Sequence, residues 1–323
     1  MTGVLAVRPS SLGDVVWALA IARDVAEARP ATPIDWVVEE AFAALPAMCA
    51  DVRRAVPVAL RRWRHAPLAR ATWREMARFR ASLRSESYDA ILDLQEQLKG
   101  ALIARLARGT RHGFDRASVR EPVAAWLDDV HHAVPRDLHF ARRCRSLAAE
   151  ALGYAFHGPP RWRWNVPPPP ACTPARPYLV AVHATSRDDK RWPAERWRAL
   201  LADVDASGFD LVLPHGSDAE ERESRALAAG LERAIVPPRL PLDGMAALLA
   251  RAHAVVGVDT GLTHLAAALG AETIALFTTT DAALAGVAIA GPHARDLGGR
   301  GTIPSVDEAR VALGERLKRA PRC

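Results

Sequence analysis

Two spacings of apolar residues alternate along this chain. Val4-Leu-Ala-Val7, Ile34-Asp-Trp-Val-Val38 and Ala90-Ile-Leu-Asp-Leu94 are short apolar runs of the length that buried strands use. From Asp14 to about Arg29 the apolar positions Val15, Leu19, Ala22 and Val25 follow helical spacing, and Leu98, Leu102 and Leu106 do so after the third run. Residues 165–177 contain six prolines, which suit neither a helix nor an inner strand, so this stretch reads as a linker. Beyond it the alternation restarts. Strands are predicted at Tyr178–Val182, Asp210–Leu213, Ala254–Val258 and Thr273–Phe277. Helices are predicted at Ala194–Asp205, Ala219–Leu231, Leu242–Ala252 and Leu262–Leu269.

Strands alternating with helices imply parallel sheets with right-handed crossovers. The expected fold is α/β: two Rossmann-like, doubly wound domains over residues 1–164 and 178–304, facing a central cleft. A closing helix over about 305–319, started by a Ser305/Glu308 capping box, is a candidate to pack back on the first domain.

Composition narrows the class. Half of the 323 residues are hydrophobic and a quarter charged, the balance of a globular protein with two cores. No apolar run approaches the roughly 20 residues of a spanning helix. Arg8 and Asp14 interrupt the N-terminal apolar run too early for a signal peptide, so the cytoplasm is the expected compartment. Cys49, Cys144, Cys172 and Cys323 show no CxxC spacing, which argues against a disulfide framework or a zinc site. Charge is uneven: residues 1–165 carry 25 Lys and Arg against 18 Asp and Glu, whereas residues 166–323 carry 18 against 19. The N-terminal half is therefore the half expected to meet an anion.

Candidate chemistry gathers at strand-to-helix junctions, where α/β sheets hold ligands. After the first strand, Ser10-Ser-Leu-Gly-Asp14 places a carboxylate at a helix start. It reads as a cap for orphan N–H groups or as a general base, and Gly13 beside it allows close approach of a ligand. In His183–Pro193, Thr185 and Ser186 offer hydroxyls, and Lys190 could neutralise a diphosphate. In Asp259-Thr-Gly-Leu-Thr-His264, Thr260 and Gly261 form a tight turn able to cradle phosphate. Asp259 reads as its cap, and His264 as either a packing residue or a diphosphate donor. Glu220 could cap its helix or accept a ribose diol. Arg53–Arg84 holds ten arginines and the single acid Glu75. Within it Arg61 and Arg62 are candidates for anion contacts, with Arg8 and Arg120 as companions. Asp203-Val-Asp205 fits a metal-binding pattern but falls at a helix end, and no other metal-ligand cluster appears. Neither a Gly-x-Gly-x-x-Gly after a strand nor a Walker run occurs, which weakens dehydrogenase and ATPase readings.

In this order, Ser10–Asp14, Trp36–Glu40, Arg61–Arg64, Arg111–Gly113, Arg120–Pro122, His183–Pro193 and Asp259–Leu265 resemble the heptosyltransferase I family of lipopolysaccharide core synthesis, in glycosyltransferase family 9. The resemblance implies a GT-B fold and metal-independent, inverting transfer of heptose from ADP-heptose to the first Kdo of Kdo2-lipid A. It implies Asp14 as base, Lys190 as the cation at departing ADP, and Thr260, Gly261 and His264 on the diphosphate. Thr185, Ser186, Glu220, Leu240 and Asp259 would complete the donor pocket; Arg8, Ser10, Arg61, Arg62 and Arg120 would face the acceptor. No cofactor, no metal and no nucleic acid are expected. The implied protein is a monomer, peripheral on the anionic cytoplasmic face of the inner membrane. Where the family usually has Gly-Pro-Thr-Asp-Pro, this chain has Thr278-Thr-Thr-Asp-Ala282, which predicts a less rigid loop. Ser186 and Leu240 replace the usual threonine and methionine. Two alternatives stay open: a related enzyme for another glycan, and a nucleic-acid binder using Arg53–Arg84.

Overall fold

Apolar runs flanked by helical stretches become strands covered on both faces. A computed structural model describes residues 3–318, which divide into two units at residues 165 and 166. The first contains strands β1 (Val4–Val7), β2 (Ile34–Glu39), β3 (Arg54–Val58), β4 (Tyr88–Asp93), β5 (Gly109–Phe114) and β6 (Val130–His132). They form one parallel sheet in the order β3-β2-β1-β4-β5-β6. The second contains β7 (Tyr178–Val182), β8 (Asp210–Val212), β9 (Ala234–Ile235), β10 (Ala254–Val258), β11 (Thr273–Phe277) and β12 (Ala294–Gly298). Its order, β12-β11-β10-β7-β8-β9, repeats the first arrangement strand for strand, again all parallel. Both are Rossmann-type doubly wound sheets, and in each the winding reverses between the unit's first and fourth strands.

The inner strands β1, β2, β7, β10 and β11 are buried at every position, as parallel strands covered on both faces must be. One close contact shapes the end of β10. A Cβ on Gly257 would lie 2.3 Å from the Thr263 hydroxyl and 2.9 Å from the Val182 Cβ. Glycine lets Thr263 sit against the strand and donate to the Val258 carbonyl at 2.7 Å, which tightens the following turn.

The helix expected from Asp14 to Arg29 is two, Leu12–Ala18 and Ala20–Ala28, divided at Leu19, whose carbonyl accepts from the Ala22 N–H. The closing helix, Val306–Leu317, belongs to the second unit rather than packing on the first; Arg319 lies outside the described residues. Its apolar face, Ala309, Ala312 and Leu313, enters the core of Trp197, Leu200 and Val256, and Arg316 pairs with Glu272 at 2.9 Å. Its Ser305/Glu308 capping box forms as expected, with both reciprocal hydrogen bonds present. Cys49, Cys144 and Cys172 are free thiols. Among the described residues no helix is long and apolar enough to cross a membrane.

Candidate functional sites at the two sheet reversals

Where a doubly wound sheet reverses, the loops after two adjacent strands splay apart and leave a crevice at the strands' carboxyl ends. In the first unit that crevice is a cavity of about 470 Å³ between the loop after β1 and the loop after β4. Arg8, Ser10, Ser11 and Asp14 line it from one side, and Gln95, Glu96, Gln97 and Lys99 from the other. Arg120, Arg136, Phe140 and Arg143 close it.

Asp14 forms the cap that the sequence allowed for, and its side chain also lines the cavity. As N3 of helix Leu12–Ala18 it accepts from the Ser11 N–H at 3.0 Å and the Ser11 hydroxyl at 2.9 Å. It also meets Arg8 at 2.7 Å and keeps 38% of its side chain exposed toward the cavity. Burial pushes its pKa up, but the Arg8 charge and the hydrogen bonds from Ser11 and Arg8 outweigh this, leaving the carboxyl below its ordinary range. Arg8 is itself fixed by donating to the Leu94 carbonyl at 2.5 Å and by stacking over Phe140.

Lys99 donates to the Ser10 hydroxyl at 2.9 Å, while burial and the Arg8 charge lower its pKa. Arg143 is neutralised by Glu96 at 2.8 Å. That pair anchors Glu96 in the left-handed region (φ 61°), a backbone state costly for a non-glycine residue. Among the described residues Lys99, Arg120 and Arg136 make no ion pair.

Arg61 and Arg62 do not line this cavity. The Arg61 guanidinium stacks 5.2 Å from the Phe42 ring. Arg62 is held between Glu40 at 3.0 Å and Glu75 at 2.7 Å, so its charge is already matched. Glu40 lies 22 residues upstream, outside the stretch in which acids were counted. The sequence reading missed Gln95–Gln97, Lys99, Arg136 and Arg143. A signal existed for the first four, since they directly follow the strand run ending at Leu94; Arg136 and Arg143 carried none.

In the second unit the reversal lies between β7 and β10. Lys190 ends a single turn, Asp188–Lys190, on the loop after β7, and its ammonium reaches Asp259 at 2.7 Å. His264 meets the other Asp259 oxygen at 3.2 Å, and the Thr185 hydroxyl donates to the Asp259 carbonyl at 3.4 Å. Burial pushes Asp259 up, but hydrogen bonds from His264, Lys190 and Thr280 and the His264 charge hold it far below the carboxylate range. Asp259 is thus a shared counter-ion more than a cap. Thr260 is the N-cap of helix Gly261–Ala268, which starts directly beside this cluster. Ser186 is exposed on the same loop.

Glu220 is in the first turn of helix Asp218–Ala228 after β8, and Leu240 is on the loop after β9. Glu220 accepts from the Gly216 N–H at 2.6 Å, and Leu240 is half-buried before helix Leu242–Arg251. Asp203 pairs with Arg310 at 2.5 Å, and Asp205 accepts from the Glu232 and Arg233 N–H groups, so both aspartates are engaged structurally. The Thr278–Thr280 loop is tied down rather than loose: the Thr278 hydroxyl donates to the Asp189 carbonyl at 2.8 Å.

Comparison with known proteins fits this architecture. Residues 76–294 match glycosyltransferase family 9 (heptosyltransferase). Lipopolysaccharide heptosyltransferase 1 of Escherichia coli K12 is 41% identical over 291 residues, covering 88% of this chain and 90% of that protein. The protein of the same name from Pseudomonas aeruginosa is 42% identical over 293 residues, covering 88% of this chain and 80% of that one. The structure of E. coli heptosyltransferase WaaC with ADP superposes with a TM-score of 0.87 at 37% identity, covering 97% of this chain and 99% of that chain. WaaC with ADP-2-deoxy-2-fluoro heptose gives 0.85 at 36% identity, with the same coverage. This chain belongs to glycosyltransferase family 9, the heptosyltransferases.

Proposed function

We propose that the protein transfers L-glycero-D-manno-heptose from ADP-heptose to the first Kdo of Kdo2-lipid A, inverting the anomeric centre without a metal. The first unit takes the acceptor and the second the donor. The observation that carries this reading is the first-unit cavity. An ionised Asp14 there faces Lys99, Arg120 and Arg136, a setting that suits an acidic sugar whose hydroxyl must lose a proton.

An inverting displacement needs a base at the incoming hydroxyl and charge stabilisation at the departing phosphate. Asp14 takes the hydroxyl proton as the new C–O bond forms. Its low pKa keeps it ionised near neutrality, and the acidity of the attacking oxygen rises as the bond develops. The bond from the anomeric carbon to phosphate oxygen breaks, and its electron pair leaves with ADP. Lys190 has three ammonium donors, of which Asp259 takes one, leaving two for diphosphate oxygens. Thr260, Gly261 and His264 receive the diphosphate at the helix start, where N–H groups favour anions. Thr185 and Ser186 stand on the loop that carries Lys190, and Glu220, at its helix start, and Leu240, on the loop after β9, serve the nucleoside.

The membrane surface enters through helix Arg70–Arg84. Thr72, Phe79 and Leu83 turn inward, while Arg70, Arg74, Arg78 and Arg80 are exposed beside Trp73 and Leu68, themselves 59% and 88% exposed. Arginines flanking an exposed tryptophan suit an anionic lipid interface. The protein is peripheral there, on the cytoplasmic face of the inner membrane, and acts as a monomer.

The test is ADP release from ADP-L-glycero-β-D-manno-heptose with and without Kdo2-lipid A. Acceptor-dependent release that persists in EDTA is expected. Donor binding without acceptor-dependent release would move the acceptor to another glycan. Steep salt-dependent binding to duplex or single-stranded nucleic acid through Arg53–Arg84 would favour the nucleic-acid reading.

A further inference from the structure

Three consecutive threonines leave β11 at Thr278-Thr-Thr280, and each reaches toward the group that carries Lys190. Thr278 is buried, and its hydroxyl donates to the Asp189 carbonyl at 2.8 Å, across 89 residues of chain. That carbonyl is the one immediately before Lys190. Thr279 donates to the Asp189 carboxylate at 3.4 Å, and Arg187 also pairs with that carboxylate, with Nε at 3.0 Å from Oδ1. Thr280 lends a hydrogen bond to Asp259, the counter-ion of Lys190.

The turn Asp188–Lys190 needs such support. It is three residues long, buries none of its side chains, and stands on a loop after β7. A short turn of this kind is held little by its own backbone, so outside contacts set where its lysine points. The segments that follow β10 and β11 both hold it: Asp259 after β10 on the ammonium, and the threonines after β11 on the backbone and on Asp189.

We propose that Thr278, assisted by Thr279 and Thr280, is a positioning residue that fixes the Lys190 turn for the nucleotide diphosphate of the donor. This rests on the reading of Lys190 as the cation at the departing ADP. The threonines do not touch the reacting atoms; they act through the lysine. Holding the turn in place before the donor arrives spares the ordering that a mobile lysine would need.

Thr278→Val keeps the shape and removes the hydroxyl, and Thr278→Ser keeps the hydroxyl. Losing one buried hydrogen bond is expected to lower kcat/KM for ADP-heptose, and the affinity for ADP in calorimetric titration, by about five- to tenfold. KM for the acceptor should stay unchanged, and Thr278→Ser should recover to within about twofold of the parent. A purely structural role would instead lower Tm and affect donor and acceptor alike. In the Lys190→Ala background, Thr278→Val should cost nothing further, because the two act as one unit.

Wild-type donor kinetics in Thr278→Val would overturn the proposal, and so would additive losses in the double variant. If Lys190→Ala leaves ADP affinity and turnover unchanged, the reading of Lys190 fails first and the bracket falls with it. If Lys190→Ala is impaired while Thr278→Val is not, the bracket alone fails. Should Thr278→Val not fold, Thr280→Val replaces it, with the same donor-specific loss expected and the same overturning result.

Discussion

The two sheets share one strand order, yet the sites at their reversals handle charge in opposite ways. In the first unit Lys99, Arg120 and Arg136 make no ion pair among the described residues, and the Asp14 carboxylate, paired with one buried arginine, Arg8, is held ionised. In the second unit Lys190 and His264 already share Asp259, and threonines bracket the turn that carries the lysine. Excess positive charge in one place leaves a demand for an anion, which binding an acidic acceptor would satisfy. Internal neutralisation in the other holds a cation in place, which on the proposed function a phosphate would share. One fold thus supports an under-neutralised site, which we propose for the acceptor, and an internally neutralised one, which we propose for the donor.

Asp14 breaks this comparison most directly. Asp14→Asn should lower turnover by about 10²–10⁴-fold, the usual contribution of a positioned base. ADP affinity should stay unchanged, because the residue belongs to the other unit; calorimetry with ADP beside steady-state kinetics checks both halves. Turnover within twofold of the parent would return Asp14 to being only a helix cap.

Next come the unpaired cations. Arg136→Ala should raise KM for the acceptor by about tenfold or more, the scale of one charge-assisted hydrogen bond, and leave KM for ADP-heptose unaltered. An equal effect on both substrates would erase the division of labour between the units.

The junctions that set up this contrast were legible in the chain, because an apolar run followed by Ser, Thr, Asp or Lys marks the end of a strand wherever it falls. What converges on each junction was less so. Lys99 and Asp14 line one cavity because β4 lies beside β1, a fact of strand order that no local pattern encodes. The polar strand Gly109-Thr-Arg-His-Gly-Phe114 escaped notice because only its last two residues are buried. The match between Arg62 and Glu40 was hidden by distance along the chain. Replacing Gly-Pro with threonines suggested a looser loop, since the rigidity lost at proline is visible in sequence and the partner gained by a hydroxyl is not. The arginine stretch was legible only as charge; its geometry sorts Arg53 and Arg54, paired with Asp35, from the exposed Arg70, Arg74 and Arg78.

A pH profile sharpens the account of Asp14. Burial alone would raise its pKa, and Arg8 is the main opposing influence. Arg8→Gln removes that influence, so the pKa should rise. A base works only while unprotonated, and activity is lost as pH falls through its pKa. The acidic limb of kcat should therefore move to higher pH in Arg8→Gln, with turnover recovering as the pH is raised. A limb that stays in place would mean that another group titrates or that Arg8 is not what keeps Asp14 ionised.

The smallest expected effect concerns the surface outside both sites. Each arginine near an anionic bilayer contributes about 1 kcal/mol, so Arg74→Glu should weaken binding to phosphatidylglycerol-containing vesicles by about fivefold or more. Binding to neutral phosphatidylcholine vesicles, already weak, should change little. Trp73→Ala should reduce both, because an interfacial ring contributes whatever the headgroup charge. Sedimentation with vesicles at two salt concentrations separates the two contributions, since only the arginine effect is screened. Neither substitution touches the cavity, so turnover on a short, soluble acceptor should stay at the parent level while turnover on vesicle-borne acceptor falls. If both acceptors suffer equally, helix Arg70–Arg84 serves the catalytic unit itself, and the excess charge of the first unit is directed at the acceptor alone.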